Sequence, residues 1–429
     1  MTDHAGFENR ARLGAARERL LDAVTPVEST ERVPVTRADG RALAGPVTPE
    51  RPVPHYERAA MDGFAVVAES TFGASDRSPA VLETLDVLES DSGESSSVDR
   101  RSAAPVHTGS ELPPGADAVV MMEATETFGD EIEVHESVTV GENVAPVGED
   151  VPGDADLYAD GHRLRPSDLG LLRSVGVDAV EVYERPTVDV IPTGDELVDD
   201  DPKPGEIVET NGLTVARYVE RWGGVANYRN VVPDDRSALR AAVERGLTAD
   251  VVVTTGGSSV GERDLIADVV ADRGTILDHG LAIKPGHPVG FGVVEDTPVL
   301  LLPGYPVSCI VTAVQLLRPA LKRAGHLPTP THPGTTATLD RKVASEPGVR
   351  TFARVALEPA DGSTLGDGST LGDGSTLGAS EQRAVPVRAG GAGVLSSVTD
   401  ADGWVTIPES VEGLDAGERV TVADWEHTP

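Results

Sequence analysis

The stretch Thr254-Thr255-Gly256-Gly257-Ser258-Ser259-Val260-Gly261-Glu262-Arg263-Asp264 gathers residues suited to holding an anionic small molecule. A β-branched run, Val251-Val252-Val253, precedes it, and a helical pattern at Leu265, Ile266, Val269 and Val270 follows. Glycines there admit close backbone approach, and a helix start adds partial positive charge; together these cradle phosphates and other anions. Taken alone, the turn serves equally as a strand-to-helix connection that merely needs small residues. Two more turns of the same build shift the balance towards a site. Thr187–Pro192 leads into Thr193-Gly194-Asp195-Glu196-Leu197, and residues 298–302 lead into Pro303-Gly304-Tyr305-Pro306-Val307-Ser308. Lys284 is a separate candidate. It is one of four lysines in the chain and lies in a loop braced by Pro285, Gly286 and Pro288. It reads as an anion contact more readily than as a surface ion pair. His287 beside it is only partly cationic near neutrality. Asp62, in Met61-Asp62-Gly63, and Asp150, in an acidic stretch, are by themselves turn chemistry and surface acidity.

The elements that must position these residues are legible from periodicity. Helical stripes run through Leu213, Ala216, Val219 and Trp222, and through Leu239, Val243 and Leu247. Strands alternating with helices predict a doubly wound α/β domain over residues 186–325, its parallel sheet covered on both faces. Ligands in such sheets sit beyond the carboxyl ends of the strands, where all three turns fall. An N-terminal helix carries Leu13, Ala16, Leu20, Leu21 and Val24 on one face, and helical character returns near residues 167–175. Residues 46–150 read as strands broken by Gly, Pro and Ser, with an acidic surface loop over 89–97. After residue 326 strands return. Within them the hexapeptide Asp-Gly-Ser-Thr-Leu-Gly repeats three times over 361–378. Three copies are too few for a solenoid, so an expanded, flexible hairpin loop is expected.

A chain of 429 residues has room for two to four domains at roughly 100–200 residues each. Its net charge of −35 and scarcity of lysine suggest adaptation to high salt. The charge argues against broad binding of nucleic acid or of an anionic membrane. No signal peptide and no apolar run long enough to span a bilayer is apparent, so a cytoplasmic location is expected. Cys309 is the one cysteine, which excludes internal disulfides; it reads as a packed thiol.

The ordered set of segments resembles the molybdopterin molybdenumtransferase family, the MoeA and gephyrin E-domain group. The resemblance spans nearly the whole chain. It is carried by Ala60-Met61-Asp62-Gly63-Phe64-Ala65-Val66, Gly115-Ala116-Asp117-Ala118 with Glu123, Gly141-Glu142-Asn143-Val144 and Gly148-Glu149-Asp150-Val151. It continues in Thr193–Leu197, Thr210-Asn211, Thr255-Gly256-Gly257 with Ser259-Val260-Gly261 and Asp264, Lys284-Pro285-Gly286, and Leu302-Pro303-Gly304 with Pro306-Val307-Ser308. The tail from Gly393 to Glu409 resembles the family's last domain.

The resemblance implies a four-domain subunit. A helical linking domain (1–45 with 151–185) carries an inserted β-rich domain (46–150). The α/β domain (186–325) and a small β-barrel-like domain (326–429) follow. It implies a homodimer with the site between subunits. The implied activity is Mg²⁺-dependent insertion of molybdate into adenylylated molybdopterin, with release of AMP. Asp62, Asp150, Glu196, Asp264 and Lys284 match positions tied to activity. Asp195, Glu196 and Asp264 stand at the sheet edge where Mg²⁺, which prefers oxygen ligands, would be held. Thr193, Gly194, Asn211, Gly256, Gly257, Ser258, Ser259, Gly261, His287, Pro303, Gly304, Pro306 and Ser308 are the implied substrate contacts. Arg350 and Ser397 resemble oxyanion contacts. The chain departs from the family at His287, Tyr305, Glu209 and Ala145. Tungstate insertion, molybdopterin adenylyltransfer and a non-enzymatic scaffold are the competing functions.

Overall fold

The computed structural model describes residues 10–85, 97–256, 265–359, 382–387 and 393–427. The acidic loop over 89–97 therefore falls almost wholly outside the described residues, and the hexapeptide repeat does so entirely. The chain forms two compact units. One combines the N-terminal segment up to Glu31 with Tyr183 onwards, and the other is Arg32–Val182.

The first unit opens with α1 (Leu13–Asp22), which buries Leu13, Ala16 and Leu20 as its periodicity predicts. The Arg32–Val182 unit contains a six-stranded sheet. Its strands are β1 (Gly63–Val66), β2 (Ala80–Thr84), β3 (Ser102–Val106), β4 (Ala118–Met121), β5 (Thr125–Phe128) and β6 (Glu131–Val134). They are ordered β4-β1-β3-β2-β6-β5. A separate apolar cluster in this unit gathers Val35, Leu43, Leu164, Leu172, Val175, Val180 and Val182. It includes one face of α2 (Pro166–Ser174). Proline at the start of α2 costs no hydrogen bond, because the first-turn amides have no partner within the helix.

Returning to the first unit, the α/β portion contains β7 (Thr187–Pro192), α3 (Asn211–Arg221), β8 (Val225–Tyr228), α4 (Arg236–Gly246), β9 (Val251–Thr255), α5 (Leu265–Arg273) and β10 (Gly274–His279). A two-residue strand, β11 (Ile283–Lys284), precedes β12 (Gly290–Val294) and β13 (Thr297–Leu302). The sheet order is β8-β7-β9-β13-β12-β10. Side chains alternate across the sheet. Val188, Val190, Val251 and Val253 point into a core shared with α1 and α3. Ile191, Val252 and Leu301 pack against α4 and α5 on the other face. Both faces are thus covered, as the sequence predicts. The sheet itself is mixed, because β12 runs antiparallel to both β13 and β10. Val294 pairs with Thr297 across a two-residue turn in which Glu295 is left-handed at φ 55°. Helix periodicity gives no sign of such a tight hairpin. One detail of the α3 stripe also differs: Leu213 is exposed, while Val215 and Tyr218 are buried.

After β13 the chain forms one helical run of α6 (Pro306–Thr312), a π-helical turn (Ala313–Leu317) and α7 (Arg318–Ala324). Pro319 lacks an amide donor, so the regular i→i−4 ladder cannot pass through it. Cys309 is buried in α6, and burial pushes its thiol pKa upward, fitting the packed thiol expected. The final portion is a closed barrel. It is formed by β14 (Gly334–Leu339), β15 (Arg350–Pro359), β16 (Gln382–Pro386), β17 (Gly403–Ile407) and β18 (Arg419–Ala423). The ring runs β15-β16-β14-β18-β17 and closes through β17 and β15. Closure leaves these five strands without a free edge. β11 adds in parallel at the start of β15, setting Ile283 opposite Arg350 and Lys284 opposite Thr351.

Candidate active site

The three small-residue turns at the ends of β7, β9 and β13 touch one another. The Thr193 amide donates to the Thr255 carbonyl at 2.9 Å, and the Gly256 amide to the Leu302 carbonyl at 3.1 Å. Asn211, at the start of α3, donates its Nδ2 proton to the Gly304 carbonyl at 2.7 Å. Gly256 has φ 106°, and a Cβ there would lie 2.1 Å from the Thr193 carbonyl oxygen. Only glycine allows these turns to meet. Gly194, with φ 149°, lets the Glu196 carboxylate fold back over the turn; a Cβ would come within 2.8 Å of that carboxylate. Asp195 accepts the Asp234 amide at 3.0 Å. Asp195 and Glu196 are both exposed. Beneath the turns the hydroxyls of Thr193, Thr254 and Thr255 are buried without a hydrogen-bond partner among the described residues. Gly257, Ser258, Ser259, Gly261 and Asp264 lie outside the described residues.

Sequence reasoning noted Glu209 only as a departure. In the structure its buried carboxylate accepts the Gly212 amide at 2.6 Å and the Tyr228 hydroxyl. It satisfies an amide at the start of α3 and so fixes the helix that carries Asn211. Burial and the Glu209 bond push the Tyr228 hydroxyl pKa upward.

A second cluster forms where β11 meets β15. Lys284 Nζ lies 2.7 Å from the Glu346 carboxylate, and both side chains are mostly exposed. The Lys284 bond holds the Glu346 carboxyl below its ordinary range. His287 is half-buried and its carbonyl accepts the Leu281 amide at 2.9 Å. Arg350 pairs with Glu409 at 3.0 Å. Arg17 of α1 donates to Gln315 Oε1 at 2.7 Å; burial and nearby Arg350 lower its pKa. Gly286 ties this loop to α6, since a Cβ there would lie 2.5 Å from Thr312 Cγ2 and 3.5 Å from the Ser308 carbonyl. The helix that Pro303, Gly304 and Pro306 lead into therefore supports both clusters. Ser308 is buried inside α6. Ser397 is also buried, and its hydroxyl donates to the Val394 carbonyl at 2.6 Å within its own turn.

Sequence reasoning passed over Arg354, four residues beyond Arg350. It is 9% exposed, and its Nε is buried without a partner among the described residues. It has no ion pair among the described residues, and burial lowers its pKa. The sequence signal was present in the paired arginines of Arg350-Thr351-Phe352-Ala353-Arg354.

Asp62 and Asp150 belong to the Arg32–Val182 unit. Asp62 accepts the Thr108 amide at 2.7 Å and its hydroxyl at 2.9 Å, bonds that hold its carboxyl below the ordinary range. Asp150 is exposed and its amide donates to the Val53 carbonyl. Among the described residues the carboxylate–histidine group with ligand atoms within 4.8 Å is Glu126, Glu133 and His135, distinct from Asp195, Glu196 and Asp264.

A covered α/β sheet with glycine turns at its strand ends, joined to a closed barrel and a separate β-rich unit, defines a multidomain protein of the molybdopterin-binding type. Three family models match in order. They are the MoeA N-terminal region (domain I and II) over residues 11–176, the "Probable molybdopterin binding domain" over 189–323, and the MoeA C-terminal region (domain IV) over 377–425. A molybdopterin biosynthesis protein of Methanocaldococcus jannaschii is 33% identical, with 94% of each chain covered. Molybdopterin molybdenumtransferase 2 of Mycobacterium tuberculosis is 32% identical over 91% of this chain and 94% of its own. The solved molybdopterin biosynthesis MoeA protein of Pyrococcus horikoshii superposes with a TM-score of 0.77 at 33% identity, covering 97% of this chain and 99% of that one. The chain belongs to the MoeA family of molybdopterin molybdenumtransferases.

Proposed function

We propose that the protein inserts molybdate into adenylylated molybdopterin, releasing AMP and completing the molybdenum cofactor. The observation that carries this reading is the convergence of the turns at Thr193, Gly256 and Gly304 on one sheet edge, in a chain matched over 91% of its length by a molybdenumtransferase. As a member of that family the protein is a transferase of molybdenum cofactor biosynthesis. The turn backbones, braced by Asn211, bind the pterin phosphate end. Gly257, Ser258, Ser259 and Gly261, outside the described residues, are proposed substrate contacts by the family resemblance alone. Lys284 and Arg350, with His287 nearby, attract the oxyanion; Arg354, a buried guanidinium with no ion pair among the described residues, is proposed as a further contact.

The donors at the sheet edge fit Mg²⁺. Asp195 and Glu196 are oxygen ligands, and Gly194 lets the Glu196 carboxylate reach back over the turn. Asp264 is the third proposed ligand. When bound, the ion would neutralise phosphate charge at the site. Asp62 and Asp150 are assigned to the reaction by the family resemblance, and a homodimer is the proposed working form. No helix among the described residues is long and apolar enough to cross a membrane.

The deciding experiment incubates purified protein with adenylylated molybdopterin, Mg²⁺ and either molybdate or tungstate, and follows AMP. Oxyanion-dependent AMP release is expected; its absence with both anions overturns the proposal. Asp195→Asn should raise the Mg²⁺ concentration needed for half-maximal release. An unchanged titration would remove Asp195 from the metal set.

A further inference from the structure

Tyr305 stands in the third turn, between Gly304 and the first residue of α6, and is 65% exposed. The chain has six tyrosines. The other five are occupied. Tyr56 donates to the Gly109 carbonyl, Tyr158 to Asp168, Tyr218 to Glu426 and Tyr228 to Glu209, while Tyr183 stacks on His326. Tyr305 has neither a hydroxyl bond nor a ring partner among the described residues. Its own carbonyl, not its side chain, serves α6 by accepting the Cys309 amide at 2.9 Å. The ring is flanked by Gly393, where a Cβ would lie 3.4 Å from the ring edge. On the other side its neighbour Gly304 packs over Gly256, where a Cβ on Gly304 would lie 3.4 Å from the Gly256 Cα. An aromatic side chain is therefore left facing solvent beside the glycine cradle.

We propose that the Tyr305 ring is a stacking platform for a heteroaromatic ring of the bound nucleotide, and so helps set substrate specificity. The inference rests on the proposed function, whose substrate carries two such rings, a pterin and an adenine. An anion cradle fixes the phosphate of such a molecule but leaves its flat rings unheld. A solvent-facing phenol beside the cradle supplies a π-face, and stacking of a base on an aromatic side chain is substantial.

The test compares wild type with Tyr305→Ala, Tyr305→Leu and Tyr305→Phe, measuring dissociation constants for adenylylated molybdopterin, molybdopterin and AMP. Because the side chain makes no cap bond, all variants should keep the wild-type melting temperature. Alanine and leucine should weaken adenylylated molybdopterin roughly tenfold or more, and phenylalanine should restore it. Weakening confined to AMP assigns the adenine to the platform; weakening confined to molybdopterin assigns the pterin. Equal affinities in wild type and Tyr305→Ala overturn the inference while leaving the functional reading intact. A wild-type protein that binds none of the three probes overturns both.

Discussion

Lys284 and Arg354 hold their charges in opposite ways, and each arrangement has a measurable consequence. The Lys284–Glu346 pair is exposed, and such pairs contribute only about 0–1 kcal/mol. A dianion can therefore displace Glu346 from Lys284 at little cost. Lys284→Ala should lower kcat/KM for molybdate about tenfold or more with an unchanged melting temperature. Glu346→Gln should lower the KM for molybdate, because the lysine is then free. A raised KM in Glu346→Gln would mean that Glu346 serves the reaction directly. Arg354 is buried without a counter-ion among the described residues, and an unpaired buried charge destabilises the fold unless something binds it. Arg354→Met should raise the melting temperature of the free protein by a few degrees, on the order of 1 kcal/mol, and abolish metal insertion. If Arg354→Met is both less stable and fully active, the residue is structural.

At the scale of elements, the contact between the α6–α7 helical run and the barrel contains a pH-sensitive group. His332 lies just before β14, with its Nδ1 buried and without a hydrogen-bond partner among the described residues, and its Nε2 3.4 Å from Arg318 of α7. The Trp404 ring of β17 meets it edge-on at 6.2 Å. Burial, then Arg318, pushes its pKa down to about 4; Asp424 opposes this shift and His427 adds to it. A histidine depressed from 6.5 is neutral in the fold but takes up a proton on unfolding. Stability should therefore fall as pH drops from about 6.5 towards 4, the window between the unfolded and folded values. His332→Gln should remove that part of the decline in a pH series of thermal unfolding midpoints. Parallel curves for the two proteins would place the acid sensitivity elsewhere.

Across the whole molecule the dominant physical fact is a net charge of −35. Self-repulsion of this size opposes the compact state, and salt screens it over about 8–10 Å at 0.1–0.15 M ionic strength. The melting temperature should rise steadily as KCl is increased from 0.1 to about 2 M. A flat or falling curve would show that the surface charge is already compensated and would remove the case for a high-salt adaptation. The same screening bears on the site. An anion must approach through an acidic field, so the cations proposed to act on it, Lys284, Arg350 and Arg354, must act locally.

Periodicity and turn chemistry by themselves determined much of this molecule. The alternation of Val188 to Ile191 and of Val251 to Val253 between two cores follows from the two-residue repeat of a strand, which any sequence reader can count. The three glycine turns were legible because glycine is required where backbones meet, as at Gly256. The ordered motifs sufficed to indicate the family. Tertiary structure alone decided what those local rules do not encode. The hairpin of β12 and β13 turns the sheet mixed, and the pairing of β11 with β15 sets Lys284 opposite Thr351, 67 positions away. It also decided which cations are occupied. Glu346 and Glu409 take up Lys284 and Arg350, while Arg354, indistinguishable from Arg350 in the sequence, is buried without an ion-pair partner among the described residues. Charge state and availability depend on burial and on partners distant in the chain, and only the folded arrangement sets these.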